Sequence, residues 1–517
     1  MKKALLILFI FTFCSQVIVA QKETTVLTLK NSNDGPTISK HIYGHFAEHL
    51  GKCIYGGFFV GENSSIPNTK GVRNDIITAL KELKIPNLRW PGGCFADTYH
   101  WKDGIGPKED RPSIVNRWWG GTTEDNSFGT HDFLNLCEVL GTEPYLASNV
   151  GSGTVQELEQ WVQYVNHDSG SPMSELRKKN DREKPWGVTF WGVGNEMWGC
   201  GGNMTPEYYA NLYKQYATFM TDWSNNDKLF RIASGANVAD YHWTEVLMRD
   251  IPKSLIEGVA LHSYSFVKWE KKGSSTKFNE EQYFATMQTA LKMEELVTKH
   301  SDIMDKYDPE NKVALIVDEW GGWYDVEEGT NPGFLYQQNT MRDAMIAGTT
   351  LNIFNNHSKR VKMANLAQTV NVLQAVILTE NEKMLLTPTY HVMKMYTVHH
   401  DAQLLPMTIN SPSYSYTHNG ETLPALSASA SKDKNGLIHI SLVNIDSKKD
   451  HKIEIDMQEL GIKNVTGTIL ASPKLQDHNT FDNPSKIKPA VFKGFETKKG
   501  KLEITIPAFS VVVLETK

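Results

Sequence analysis

Between about residue 40 and residue 385, eight short runs of β-branched, aromatic and small apolar residues alternate with segments of helical periodicity. The runs are Ile42 to Phe46, Asn87 to Trp90, Pro144 to Asn149, Val188 to Val193, Phe230 to Ser234, Gly258 to His262, Val313 to Val317 and Asn365 to Val370. Near-continuous apolar runs of this length are what strands buried on both faces of a parallel sheet look like. Helical signals fall between them. Val72, Ile76, Ala79, Leu80 and Leu83 recur at helical spacing, Thr154 to Glu157 reads as a capping box, and Thr205 with Pro206 reads as an N-cap followed by proline at the first helical position. Eight β/α units predict a closed (β/α)8 TIM barrel, since a doubly wound open sheet rarely needs as many.

After about residue 390 the pattern changes to period-two alternation. Leu437-Ile-His-Ile-Ser-Leu-Val, Lys452-Ile-Glu-Ile-Asp, Thr466-Gly-Thr-Ile-Leu and Leu502-Glu-Ile-Thr-Ile are separated by Lys, Asn, Asp and Gly turns, which predicts an antiparallel β-sandwich. The division expected is therefore a barrel over 41–388 and a β-sandwich domain over 389–517. Val26-Leu-Thr-Leu lies in a segment, 21–40, expected to pair with the sandwich.

Residues 1–20 have the layout of a secretory signal peptide: Lys2 and Lys3, an apolar core from Ala4 to Phe13, and small residues before Gln21. The expectation is an exported chain, periplasmic or extracellular. No later stretch is long and apolar enough to span a bilayer, and no membrane partner is expected. A formal charge of −6 over 517 residues supplies no basic face for nucleic acid or anionic lipid and directs attention to an uncharged partner. Beyond residue 20 the cysteines are Cys53, Cys94, Cys137 and Cys200, too scattered for a disulfide framework or a CxxC metal site, with a single disulfide left open.

If the barrel forms, polar residues at strand ends converge on one mouth. These are Glu48 after the first strand, Arg89-Trp-Pro-Gly-Gly-Cys94 with the second, Asn149 after the third, Asn195-Glu196 after the fourth, His262-Ser-Tyr264 at the sixth, Glu319 after the seventh and Gln368 in the eighth. Two carboxylates so placed are what hydrolysis of a glycosidic bond requires, one to protonate the leaving oxygen and one to attack the sugar or activate water. A strand-end Glu also serves to cap a helix or pair with a cation. The Trp- and Gly-rich surroundings, Gly194-Asn-Glu-Met-Trp-Gly and Asp318-Glu-Trp-Gly-Gly-Trp-Tyr, suit a sugar-stacking cleft better.

Several rival motifs fail. His41, His45 and His49 have i, i+4, i+8 spacing, yet Gly44 interrupts the run and His-Glu-x-x-His is absent, so no metal is expected. Gly192-Val-Gly194 lacks the third glycine of a dinucleotide site, no Gly-x-Ser-x-Gly elbow occurs, and no cofactor is called for.

The stretches His41-Ile-Tyr-Gly-His-Phe-Ala-Glu-His-Leu-Gly, Arg89-Trp-Pro-Gly-Gly-Cys-Phe, Trp101-Lys-Asp-Gly-Ile-Gly-Pro, Trp191-Gly-Val-Gly-Asn-Glu-Met-Trp-Gly and Val317-Asp-Glu-Trp resemble the α-L-arabinofuranosidases of glycoside hydrolase family 51, within the clan A retaining glycosidases. The resemblance implies Glu196 as acid/base and Glu319 as nucleophile. It implies that Glu48, Cys94, Asn195, Tyr264 and Gln368 hold furanose hydroxyls, that Trp323 forms a pocket wall, and that Cys94 stays a free thiol. An arabinose-containing polysaccharide or oligosaccharide is the implied partner. Relatives of this family are often homo-oligomers, so self-assembly is expected as well. Gly321-Gly322 and the loop with Trp118-Trp119 depart from the family pattern at the rim, which touches the choice of leaving group more than the chemistry. Fold and catalytic pair alone leave open an endo-acting β-glucanase, a xylosidase, or a carbohydrate-binding protein without catalysis.

Overall fold

Eight strands close into a parallel barrel: β1 (Gly44–Phe46), β2 (Asn87–Trp90), β3 (Glu143–Ser148), β4 (Phe190–Val193), β5 (Phe230–Asn237), β6 (Gly258–Ser265), β7 (Ala314–Gly322) and β8 (Val361–Leu366). They are paired in sequence order, with β8 returning to β1. The computed structural model describes residues 24–223, 228–416, 420–457, 460 and 464–516, and the leader expected at 1–20 lies outside them. Tyr145, Ile232, Ile316 and Met363, all buried, fill the barrel interior. Each such side chain contributes about 1.5–3 kcal/mol by leaving water. The Tyr145 hydroxyl donates to Asp318 Oδ2 at 2.7 Å, so this packed layer is tied to the strand end that carries Glu319.

The differences from the expected elements have local causes. Ile42 and Tyr43 belong to a 3-10 turn, Lys40–Tyr43, which Ser39 caps by accepting from the His41 N–H. β8 begins at Val361, where pairing with Leu315 starts, and ends at Leu366. Gln368 therefore lies beyond the strand, in a turn where its N–H donates to Val372 O. Thr154 does cap its helix, accepting from the Glu157 N–H, but the Glu157 carboxylate turns to His100 Nδ1 at 2.9 Å and leaves the capping box half made. The first β/α helix, before β2, starts at Asn74, because Val72 and Arg73 pair with Asn68 and Thr69.

Two sheets follow the barrel. One has five strands in the order Met407–Ile409, Thr24–Leu29, His451–Asp456, Lys501–Ile506, Phe495–Lys498. The other has six, with Leu426–Lys432, Ile438–Asn444, Ser510–Thr516 and Val465–Ala471 at its centre. Thr24–Leu29 runs parallel to His451–Asp456, the one departure from antiparallel pairing in its sheet. Ile438–Asn444 is buried on both faces despite alternating apolar and polar residues. Its polar face meets the barrel helix Met341–Asn356: Ser441 Oγ donates to Asn352 Oδ1 at 2.7 Å, and a Cβ on Gly348 would stand 2.8 Å from Val443. Alternation that looks like a solvated face is here a hydrogen-bonded seam between sheet and barrel.

Candidate active site

Glu319 sits inside β7 and is 6% exposed. Arg89, on β2, donates from Nη1 to Glu319 Oε1 at 2.9 Å and from Nη2 to Asn195 Oδ1 at 2.5 Å. The Tyr264 hydroxyl donates to Glu319 Oε2 at 2.7 Å. Burial works against the guanidinium, yet Asp318 and Glu319 beside it raise its pKa above the ordinary arginine value, so a fixed positive charge faces the Glu319 carboxylate. Gly93 makes the approach possible, because a Cβ there would lie 2.8 Å from Glu319 Oε1.

Glu196 lies beyond the end of β4, with a backbone φ of +44°, a left-handed conformation uncommon for a non-glycine residue and frequent at functional sites. The turn that follows, with Gly199 and Gly201 N–H groups both donating to Glu196 O, brings Cys200 back over the site. Cys200 forms a disulfide with Cys94, the Cα atoms 5.5 Å apart. This corrects the expectation of a free thiol at Cys94. The sequence separation of 106 residues hides the pairing, which the 196–201 turn creates. The two sulfurs lie 3.9 Å (Cys94) and 3.5 Å (Cys200) from Glu196 Oε2. Burial is the main cause raising the Glu196 pKa; a hydrogen bond to His262 opposes it and the charge on Glu319 adds to it.

His262 joins the two acids. Its Nδ1 is 2.9 Å from Glu196 Oε1 and 3.5 Å from Glu319 Oε2, and its Nε2 is 3.1 Å from Asp318 Oδ1. Burial alone would lower its pKa, but Glu319, Asp318 and Glu196 raise it to about 10, which makes it an imidazolium across the neutral range. Asp318 is held below the usual carboxylate range: burial pushes its pKa up, and Arg89 and His262 outweigh that.

Glu48 is 2% exposed and accepts from the Phe95 N–H (3.1 Å), Trp119 Nε1 (2.9 Å) and Gln368 Nε2 (3.0 Å). Burial, then the Glu319 charge, raises its pKa to about 7 against the pull of those donors. Glu48, Cys94, Glu196, Tyr264, Glu319, Trp323 and Gln368 all line one small cavity, about 50 Å³, at the carboxyl ends of the strands. Asn195 does not; it stands one layer behind, its side chain taken by Arg89 and its N–H donated to Asp97 Oδ2.

Sequence reasoning placed Trp119 on the outer rim, yet its indole reaches Glu48 inside the cavity. It passed over Asp97 altogether. That buried carboxylate accepts from the N–H groups of Val150, Gly151 and Asn195, joining the β3 and β4 loops, and its isolated position in Phe95-Ala-Asp-Thr carries no signal of this. His41, His45 and His49 are not gathered. Burial lowers His41 to about 4 and His45 to about 3, and His49 Nε2 accepts from Trp90 Nε1. Among the described residues, two groups bring three candidate metal ligands within 4.8 Å: Glu196, His262 and Glu319, and Cys94, Glu196 and Cys200. In the first, His262 Nδ1 already contacts both carboxylates; in the second, both sulfurs are in the disulfide.

A family model described as the α-L-arabinofuranosidase 1 domain matches residues 79–283, and one described as the α-L-arabinofuranosidase C-terminal domain matches residues 318–510. The chain is 53% identical over 516 residues to the intracellular exo-α-L-arabinofuranosidase of Bacteroides ovatus, covering 100% of each. Among solved structures, the family 51 arabinofuranosidase from Xanthomonas axonopodis pv. citri superposes with a TM-score of 0.93 at 46% identity, over 95% of this chain and 100% of that one. The α-L-arabinofuranosidase from Thermotoga maritima, solved as an arabinose complex, gives 0.83 at 31% identity, over 95% and 99%. The expectation of export does not hold: the Bacteroides ovatus relative, matched along its whole length, is named an intracellular enzyme. An apolar run behind two lysines is a compositional pattern, and composition alone does not establish that a run acts as a sorting signal.

Proposed function

The chain belongs to the α-L-arabinofuranosidases of glycoside hydrolase family 51, and from that premise we propose that it is an exo-acting, retaining enzyme that removes terminal α-L-arabinofuranosyl residues from arabinan, arabinoxylan or arabino-oligosaccharides. The observation that carries the reading is the pairing of two acids in unlike surroundings, an oxygen of each within 4.8 Å of the other, Glu319 faced by a fixed guanidinium and Glu196 with its pKa raised by burial. That separation suits direct attack on the sugar, because inverting enzymes leave room for a water and space their acids about 6.5–9.5 Å apart.

Glu319 attacks the anomeric carbon while Glu196 passes its proton to the glycosidic oxygen, so the leaving sugar departs as an alcohol and the arabinosyl group is esterified to Glu319. The negative charge on Glu319 is then gone, one of the influences raising the Glu196 pKa disappears, and Glu196 can take a proton from water. The water oxygen bonds to the anomeric carbon and Glu319 leaves, two inversions giving net retention. The Tyr264 hydroxyl and Arg89 guanidinium keep the nucleophile aimed; Glu48, Gln368 and Trp119 supply acceptors and donors for ring hydroxyls. A cavity this small, about 50 Å³, suits one terminal sugar and not a threaded chain.

The test is release of 4-nitrophenol from the α-L-arabinofuranoside, with the β-D-xyloside and β-D-glucoside alongside. Arabinoside turnover with retained configuration, read by NMR of the first-formed sugar, is the expected result. Preference for either other glycoside, or an inverted product, would overturn the reading.

A further inference from the structure

Glu196 stands between two ties to one loop, the loop that follows β2. At the far end of its turn Cys200 is bonded to Cys94; at the near end the Asn195 N–H donates to Asp97 Oδ2 at 2.9 Å. Asp97 is 3% exposed, and its other oxygen, Oδ1, accepts from the N–H groups of Val150 and Gly151, each at 2.8 Å. Its main chain is held as well, since Ser152 donates to Asp97 O from both its N–H and its Oγ. One buried carboxyl group therefore ties together the chain beyond β2, β3 and β4, next to the acid in sequence.

The turn needs such a hold. Gly194 has a φ of +82° and Glu196 one of +44°, so the chain is left-handed on either side of Asn195. A left-handed backbone at a non-glycine residue persists only where the surrounding contacts determine it. From the β5 side, the Tyr209 hydroxyl donates to Val193 O and Ser234 Oγ accepts from the Met197 N–H at 3.1 Å. From the β3 side the hold is Asp97. The N–H groups of Asn195 and Met197, the residues flanking Glu196, are thus each taken by a side chain, one from either side of β4. Gly201 folds down onto the same carboxyl group: a Cβ there would stand 3.0 Å from Asp97 Oδ2 and 2.1 Å from Asn195 O.

We infer that Asp97 is a positioning residue for proton transfer: by accepting from the Asn195 N–H it sets the turn from which Glu196 reaches the glycosidic oxygen. Asp97 does not line the cavity, so it acts through Glu196 and not on the sugar. Asp97→Asn isolates this role. With its oxygen toward Val150 and Gly151, the amide turns its nitrogen on the Asn195 N–H, donor against donor; flipped, it sets the same nitrogen against Val150 and Gly151. A carboxyl group satisfies all three N–H groups and an amide at most two. Small displacements of a catalytic group cost large factors in rate, so a shifted turn is read most sharply in the step that needs the Glu196 proton. This inference rests on the reading of Glu196 as acid/base, and its test separates the two.

The measurement is kcat/KM on two substrates that differ in their need for a proton: phenyl α-L-arabinofuranoside, whose phenolate leaves poorly, and the 4-nitrophenyl compound, whose nitrophenolate departs unprotonated. Glu196→Ala calibrates the split by losing far more on the first than on the second. Asp97→Asn should show the same split in smaller measure, a loss of roughly thirtyfold on the phenyl arabinoside and under about threefold on the nitrophenyl one. A general loosening of the site would cut both alike. The ratio of the two losses does not depend on what fraction of the variant is folded; should Asp97→Asn not accumulate as folded protein, Asp97→Ser, whose smaller hydroxyl offers a single acceptor atom, is read in the same way. Equal losses on both substrates, or no loss on either, would overturn the role of Asp97 and leave the glycosidase reading standing. A Glu196→Ala enzyme without the split would overturn the acid assignment and this inference with it.

Discussion

The two strand ends that carry Glu196 and Glu319 read alike in the sequence and are built differently. Glu319 is within β7, where the strand's pairing with both neighbours shifts register, with Arg89 and Tyr264 each donating to one of its oxygens. Glu196 is past the last residue of β4, on a left-handed backbone, at the head of a turn that the Cys94–Cys200 disulfide fastens to the β2 loop. The first arrangement fixes a carboxylate in one place between two donors. In the second, burial raises the pKa of a carboxyl whose neighbour Glu319 loses its charge in the proposed reaction. A nucleophile has to be a carboxylate at a fixed distance, whereas an acid/base has to change protonation state twice per turnover, and the surroundings differ accordingly.

The largest expected effect breaks the comparison on the Glu319 side. Glu319→Ala should reduce kcat by roughly 10⁴-fold or more, and added azide should restore part of the turnover and give a product of inverted configuration. An active Glu319→Ala enzyme would remove it from the nucleophile's role. Glu196→Ala should cost about 10²–10⁴-fold on oligosaccharides, whose leaving oxygen needs a proton. With 4-nitrophenyl arabinoside the first step should suffer far less, because nitrophenolate departs unprotonated, and the intermediate should accumulate as a burst. Equal losses on both substrates would contradict the acid's role.

How much of this was legible depended on whether the signal was local. The barrel strands were, because a buried parallel strand needs a continuous apolar run wherever it occurs, and β2 and the starts of β5 and β6 coincide with the runs read for them. β8 was displaced because Val361-Lys-Met-Ala, with its lysine, looks less apolar than the stretch after it. Of the site, Glu196 and Glu319 sit in strong local motifs, and the residues around the cavity came with the family resemblance. The Cys94–Cys200 pair and the Asp97 bridge were not visible, since each depends on two loops meeting across the mouth. Asn195, next to the acid in sequence, gives its Oδ1 to Arg89, while its Nδ2, the donor expected to meet the sugar, lies 3.8 Å from Cys200 Sγ.

A third acid sharpens the same contrast. Glu48 has a pKa of about 7 from burial and the Glu319 charge, so near neutrality it is part protonated. A raised carboxyl loses its proton as pH rises through that value, and the new charge then sits beside the nucleophile. Wild-type kcat/KM should accordingly fall on the alkaline side through two ionisations, Glu196 and Glu48. Glu48→Gln keeps an oxygen for the Phe95 and Trp119 donors, and Gln368 Oε1, which has no partner, can turn to meet the new amide. The variant should lose roughly tenfold or less in kcat/KM and shed one ionisation from the alkaline limb. An alkaline limb unchanged in steepness would show that Glu48 does not titrate there.

The smallest effect concerns His262, which touches both halves of the comparison. Its two ring nitrogens each face a carboxylate oxygen, and a neutral imidazole has only one N–H to give. Either His262 is charged, or Glu196 gives its proton to Nδ1 and the histidine is neutral. The raised pKa, about 10 against an ordinary 6.5, corresponds to the charged form. A histidine whose folded-state pKa is raised adds stability that is fully present below pH 6.5 and is lost as pH rises toward 10. The melting temperature of the wild type should therefore exceed that of His262→Gln by a margin of roughly a few degrees at pH 6, narrowing steadily up to pH 10. Titration of Glu48 and Asp97 is common to both proteins and cancels in the difference. A margin that stays flat across this range would put the proton on Glu196, hydrogen-bonded to a neutral His262, and the acid would then be held in its protonated form by a partner as well as by burial.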